Sequence, residues 1–322
     1  MPTEFELIAR YFTHPTRHTL LSVGDDAALF KVRKGMALAV STDMLVEGRH
    51  FFKGADPEKL GHKALAVNLS DMAAMGAQPR WATLSLALPR ADAKWVAAFM
   101  RGFMRLARKH DVDLVGGDTT RGPLNLCVQI MGEVPPGKAL RRDAARVGDD
   151  IWVSGTLGDA ALTVAARKRE IVLSKTELAA ASRRLDTPTP QVTLGIALRG
   201  IAHAALDISD GLLGDLGHIC ERSNVAAVIE LERLPASPLL KRNLAKPVAQ
   251  GAMLGGGDDY ELCFTAAPAR RTAVVRAAFA ASVRVTRIGR ILRAPEGACE
   301  VAFVDKAGLP LRLAQRGYDH FG

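Results

Sequence analysis

Apolar and polar residues follow two rhythms along this chain. A period of two marks strands, and a period near 3.6 marks helices. Residues 36–46 (MALAVSTDMLV) and 81–88 (WATLSLAL) read as strands. Residues 93–109 set Trp95, Phe99, Phe103 and Leu106 on one stripe, which predicts a helix. Asp56-Pro57 pairs an N-cap residue with proline at the first helical position. The helix it opens is expected to reach about Met75 and to stop at Gly76. A short strand at 113–115 should stop at Gly116-Gly117, and another should cover 124–134. Pro135-Pro136-Gly137 then breaks the chain. Beyond it, strands are expected at 150–154, 205–208, 226–231, 261–265, 283–292 and 299–304. Helices are expected from Gly158-Asp159, over 175–185 and 190–202, and from Asp210-Gly211 to about 222. Strands and helices mix on both sides of the break. The expected class is therefore α/β (α+β) in two domains, 1–137 and 138–322.

Composition supports a packed protein. The 322 residues are 48% hydrophobic and 24% charged, which excludes a disordered chain. The formal net charge of +9 invites a nucleic-acid reading. Its carriers are dispersed, however: Arg101, Arg105, Arg108 and Lys109; Arg141 and Arg142; Arg167 to Arg169; Arg183 and Arg184; Arg270 and Arg271. Aromatic residues are only 5% and do not interleave with them. A solvated basic surface is the better reading, with no nucleic-acid partner. Four cysteines without a Cys-x-x-Cys pair suggest neither a zinc site nor a secreted disulfide scaffold. Residues 1–12 mix apolar and charged positions without an apolar signal core. Apolar runs such as 81–89 are too short to span a bilayer. A cytoplasmic protein without a membrane partner is expected.

The distinctive local chemistry is acidic. Asp25-Asp26 follows Gly24, and Asp43 follows Ser41-Thr42. Asp71 interrupts the apolar run Leu65, Val67, Leu69, Met72, Met75. Asp118 follows Gly116-Gly117, Asp207 and Asp210 bracket Ile208-Ser209, and Asp258-Asp259 follow three glycines. Any one such residue serves readily as a cap or turn former. As a set they fall at expected strand ends, the edge of an α/β sheet where ligands bind. Carboxylates gathered there repel one another unless cations lie among them. Oxygen donors of this kind, with hydroxyls such as Ser41 and Thr42, suit Mg²⁺, which commonly arrives with phosphates. Glycines at 116, 117 and 122 allow close backbone approach to an anion, and Arg121 and Arg142 are phosphate-pairing candidates. Ser209-Asp210-Gly211 at a helix start is another anion seat. There is no Walker P-loop, dinucleotide fingerprint, protein-kinase signature, zincin motif or nucleophile elbow.

Seven segments, in order, carry a resemblance over essentially the whole chain. They are Gly24-Asp25-Asp26-Ala27-Ala28, Ser41-Thr42-Asp43, the run from Lys63 to Ala77, the run from Gly116 to Gly122, Asp207-Ile208-Ser209-Asp210-Gly211-Leu212, Asp259-Tyr260-Glu261-Leu262, and Gly317-Tyr318-Asp319-His320-Phe321. Together they resemble the thiamine-monophosphate kinase family, within the aminoimidazole ribonucleotide synthetase-like superfamily. The resemblance implies a fold with an N-terminal mixed four-stranded sheet and a larger C-terminal α/β domain. It implies ATP-dependent phosphorylation of thiamine monophosphate to thiamine diphosphate, by direct in-line transfer with several Mg²⁺ ions and no classical acid or base. It assigns Asp26, Ser41, Thr42, Asp43, Asp71, Asp118, Asp207 and Asp210 to the metals, with Asp71, Asp118 and Asp210 central to transfer. Gly117, Asp118, Arg142 and Ser209 would contact ATP, and His50, Asp258 and Tyr318 would face thiamine monophosphate. It also implies a homodimer through N-terminal domains. The chain departs from the family at Asp258, where glutamate is usual. The sister activities are disfavoured, because the first cysteine is Cys127 and the chain ends Asp319-His320-Phe321-Gly322.

Overall fold

The computed structural model describes residues 3–295 and 299–311. The chain divides into two compact units, Met1–Met72 with Ala77–Gly137, and Ala73–Gly76 with Lys138–Gly322.

The first unit holds α1 (Glu4–Leu7), β1 (Thr19–Leu21), β2 (Leu29–Phe30), β3 (Ala37–Val46), α2 (Pro57–Ala74), β4 (Gln78–Leu88), α3 (Ala93–Lys109), β5 (Asp113–Arg121) and β6 (Asn125–Val134). Its main sheet has the order β3-β6-β4-β5. Only the β4–β5 pair is parallel, so the sheet is mixed. α3 forms over the expected residues because Asp92 caps it, accepting from Lys94 N and Trp95 N, and because Phe99 and Phe103 are buried. α2 lies over the sheet: a Cβ added at Gly132 of β6 would meet Met72 Sδ at 2.9 Å. The two helices cross with their backbones in contact. A Cβ at Gly61 would stand 2.0 Å from Phe99 O, and one at Gly102 would stand 1.8 Å from Glu58 O. On the other face Phe30 stacks on Trp81, centroids 4.3 Å apart. Beside that patch β3 leaves Val40 and Met44 more than half exposed.

The second unit holds β7 (Asp150–Ser154), α4 (Asp159–Arg167), α5 (Lys175–Asp186), α6 (Val192–Ala197), β8 (Ala205–Asp207), α7 (Leu212–Ser223), β9 (Val225–Glu230), α8 (Pro238–Asn243), α9 (Pro247–Gly255), β10 (Leu262–Ala266), α10 (Arg271–Ala280), β11 (Val285–Arg293), β12 (Val301–Val304) and β13 (Pro310–Leu311). Its seven-stranded sheet has the order β13-β12-β9-β11-β7-β10-β8. β9 and β12 are parallel, and the other pairs are antiparallel. Ile151, Val153, Leu206, Leu216, Ile219, Ile229 and Ile291 centre the core. β7 and β8 both run opposite to β10, so Ser154, Asp207 and Leu262 arrive at one end of the sheet.

Two expectations change. β5 does not stop at Gly116 but continues to Arg121 along β4, past a register shift. The helix expected over 190–202 covers only Val192–Ala197. No helix among the described residues is long and apolar enough to cross a membrane.

Candidate active site

In the first unit, strand alternation decides which donors meet. Ser41 and Asp43 share the α2-covered face of β3 with buried Leu45, and Ser41 Oγ donates to Asp71 Oδ2 at 2.6 Å. Asp71, on α2, is half-buried beside wholly buried Asn68, Leu69 and Ser70. By the same alternation the exposed Thr42 side chain lies on the opposite face of β3 from Ser41 and Asp43. Asp26 sits exposed in a turn, its amide bonded to Asp25 Oδ1 at 2.9 Å. Asp118 is exposed on β5, in register with Ser85 of β4.

Gly117 has a different reason from the one its sequence suggests. With φ of +150° and Leu84 O only 1.9 Å from where its Cβ would be, it allows β5 to lie against β4. Residues 116–121 are therefore a strand and not a loop wrapped around an anion. His50 closes the turn after β3. Val46 N donates to His50 Nδ1 at 3.0 Å, which places the neutral ring's proton on Nε2. Lys63, buried on α2, donates to His50 O at 3.3 Å and holds this turn.

In the second unit, the residues after β8 form a tight turn. Asp207 is buried at the strand end, and Ser209 and Asp210 are half-buried. The sequence leads one to expect the amides of Ser209 and Asp210 to face an anion from solution. They instead donate to Asp215 Oδ2 of α7, both at 3.0 Å. The glycine run packs against the same turn. Asp258 N donates to Ser209 O and Tyr260 N to Ile208 O, each at 2.8 Å. A Cβ at Gly257 would stand 2.2 Å from Ser209 O. Asp258 and Tyr260 both hold positive φ, +67° and +50°, and Tyr260 Oη donates to Asp258 Oδ1 at 3.0 Å. Such strained backbone concentrates at functional sites. Arg142 is exposed, and its carbonyl accepts from Ser223 Oγ at 2.8 Å. Tyr318 lies outside the described residues.

Deeper in this unit stand acids to which the sequence pattern assigns no role. Both carboxylate oxygens of Asp259 accept from Gly158 N at 3.0 Å. Glu261 accepts from Ser154 Oγ, from Gln191 Nε2 at 2.9 Å, and from Arg184. Asp159 accepts from Ser237 Oγ at 2.7 Å. Burial raises the pKa of all three, with Arg184 opposing the shift in each. Burial, reinforced by the charge of Asp207, pushes Asp215 up to about 7. One sequence signal was available for Asp215, an acid in the first turn of a helix entered from a strand-and-glycine turn. Arg184 corrects another reading, since it is bound to Glu261 and not part of a solvated surface. Arg167, paired with Asp186, departs from that reading in the same way, whereas Arg271 binds Asp150 from the exposed surface.

Residues 24–134 match the family described as AIR synthase related protein, N-terminal domain, and residues 146–302 match its C-terminal domain. Thiamine-monophosphate kinase of Salmonella typhimurium is 44% identical, covering 99% of this chain and 98% of its own. The chain belongs to the thiamine-monophosphate kinase family. The crystal structure of the family member from Stenotrophomonas maltophilia is 49% identical with a TM-score of 0.83, covering 89% of this chain and 91% of that one. A structure described as AaThiL complexed with AMPPCP and TMP is 32% identical with a TM-score of 0.78, covering 93% of this chain and 92% of that one. The expected two-domain fold, with its mixed four-stranded sheet, is the fold of these thiamine-monophosphate kinases.

Proposed function

We propose that this chain transfers the γ-phosphoryl group of ATP to thiamine monophosphate, giving ADP and thiamine diphosphate. The carrying observation is its near full-length likeness to a structure that holds AMPPCP, an ATP analogue, together with TMP. The acceptor is itself a phosphate, anionic near neutral pH, so no side chain need remove a proton. Repulsion between two phosphates is the barrier, and positioning with charge neutralisation is the remedy.

The donor set fits Mg²⁺. Ser41, Asp43 and Asp71 present oxygen only, on one covered face of β3 and α2. Among the described residues, no three His, Cys, Asp or Glu side chains form a ready-made metal cage. That accords with an ion held by one or two carboxylates plus phosphate oxygens. Asp26, Ser41, Asp43, Asp71 and Asp118 would hold Mg²⁺ from the first unit, and Asp207 and Asp210 from the second. The ions would supply charge neutralisation between the phosphates. Gly117, Asp118, Arg142 and Ser209 would contact ATP. His50, with its Nε2–H, would donate toward thiamine monophosphate, with Asp258 and Tyr318 also facing it. Asp258, shorter than the usual glutamate, is already oriented by Tyr260. The first unit would also pair two copies into a homodimer, and the exposed Val40 and Met44 of β3 support this. A cytoplasmic location fits an enzyme of ATP and a free vitamin phosphate.

The deciding experiment incubates purified protein with Mg-ATP and thiamine monophosphate, then separates the products chromatographically. Thiamine diphosphate is expected. Release of free phosphate without it would refute the kinase reading.

A further inference from the structure

The turn after β8 is gripped from two sides. From one side comes the backbone of residues 257–260. Gly257 lies against Ser209 O, and Asp258 N bonds to that same oxygen at 2.8 Å. From the other comes a single carboxylate oxygen, Asp215 Oδ2, which takes the consecutive amides of Ser209 and Asp210 at 3.0 Å each. Two successive N–H groups converging on one oxygen form the kind of nest that binds anions. Here the chain fills the nest with its own side chain, from the helix that follows. The main-chain donors of the turn are thereby committed inward. The Ser209 hydroxyl and the Asp210 carboxylate, both on half-buried residues, are what the turn keeps for a ligand. Asp215 is itself 3% exposed and has no path to one.

We propose that Asp215 is a positioning residue: it locks the Ser209–Asp210 peptide so that these two side chains are presented to Mg-ATP. The inference rests on the kinase reading above. A plain cap for α7 would contribute to stability alone, whereas a positioning residue must also set nucleotide affinity.

The test compares Asp215→Asn with Asp215→Leu and Asp215→Ser. Asparagine keeps a carbonyl oxygen able to accept both amides, leucine keeps the volume without an acceptor, and serine loses the reach. Binding of Mg²⁺ with a non-hydrolysable ATP analogue is measured by calorimetry, and KM for Mg-ATP by product assay. Asp215→Asn should stay within about threefold of wild type, and the other two should weaken nucleotide binding by about tenfold or more. KM for thiamine monophosphate should hardly move. Wild-type affinity in Asp215→Leu or Asp215→Ser, or equal weakness in Asp215→Asn, would overturn the proposal. Should the loss variants not fold, hydrogen exchange in the nucleotide-free wild type decides. The Ser209 and Asp210 amides must be protected, and exchange at the open-chain rate also overturns it. A wild type that makes no thiamine diphosphate would instead sink the kinase reading, with the exchange result standing apart.

Discussion

The two ends of the seven-stranded sheet handle the same residue type in opposite ways. Where β7 begins, Asp150 is bound by Arg271 at 2.6 Å and Arg287 at 3.3 Å, and Asp149 accepts from His203 Nδ1 at 2.9 Å and from Thr265 Oγ1 at 3.1 Å. Burial alone would raise the pKa of Asp150, yet its arginines carry it below the ordinary value. Where β7 and β8 finish, Asp159, Asp207, Asp215, Asp259 and Glu261 collect, and burial pushes Asp159, Asp215, Asp259 and Glu261 upward. At the first end negative charge is settled by the chain itself. At the second, Arg184 serves Glu261, and the other carboxylates with named partners are held by backbone amides and a hydroxyl, which orient a carboxylate without cancelling its charge. The cations and phosphates proposed for that end would meet such an imbalance.

The contrast can be broken by substitution, beginning where the effect should be greatest. Asp210→Asn should lower kcat/KM by about 100-fold or more while leaving thermal unfolding unchanged. A near-normal rate with the same Mg²⁺ dependence would make Asp210 structural. Asp71→Asn, which alters the acceptor of Ser41 in the other unit, should behave likewise in the same assay. Asp150→Asn should show the reverse. Its melting temperature should fall by roughly 3–6 °C, with turnover per folded molecule intact. Loss of turnover without loss of stability would erase the distinction between the two ends. The pH dependence of stability gives a subtler reading. Asp159, Asp215, Asp259 and Glu261 have folded-state pKa values above their unfolded ones, so the folded state binds more protons than the unfolded state. Stability should therefore decline as pH rises above the ordinary carboxylate range on their account, Asp215 losing its share as pH passes about 7. Asp150, depressed when folded, contributes the opposite slope below its ordinary value. Urea unfolding at stepped pH should show Asp259→Asn flattening the decline, and a steeper decline would contradict the assignment. The smallest effect belongs to Arg101→Ala. Its exposed pairing with Glu58 should leave unfolding and activity within error of wild type.

Long, strongly patterned segments are legible in the residue pattern by itself. α3 runs over the expected 93–109 and β7 over the expected 150–154. What escapes the pattern has physical reasons. α10 (RTAVVRAAFA) leaves Val275 and Phe279 exposed, so its apolar positions do not trace one buried stripe. α9 is short and carries glycine at its end. The continuation of β5 through Gly116-Gly117 is hidden because glycine reads as a terminator, while its cause, Leu84 of β4, is remote in sequence. The motif acids are visible as a set, and the relatives place the chain in the expected family. The alternation that separates Thr42 from Ser41 and Asp43 follows from the strand period alone. The capture of the Ser209 and Asp210 amides by Asp215 does not, because three glycines and a neighbouring loop must first shape the turn.

The crossing of α2 and α3 at Gly61 and Gly102 has a mechanical side. With carbonyl oxygens about where side chains would begin, neither helix can slide or roll against the other. Asp71 stands ten residues along α2 from that crossing, roughly 15 Å at the helical rise. α2 thus works as a beam clamped at one end, and the clamp sets where the carboxylate at the other end stands. A single methyl group at Gly61 would shift the beam, and the Ser41–Asp71 pair with it.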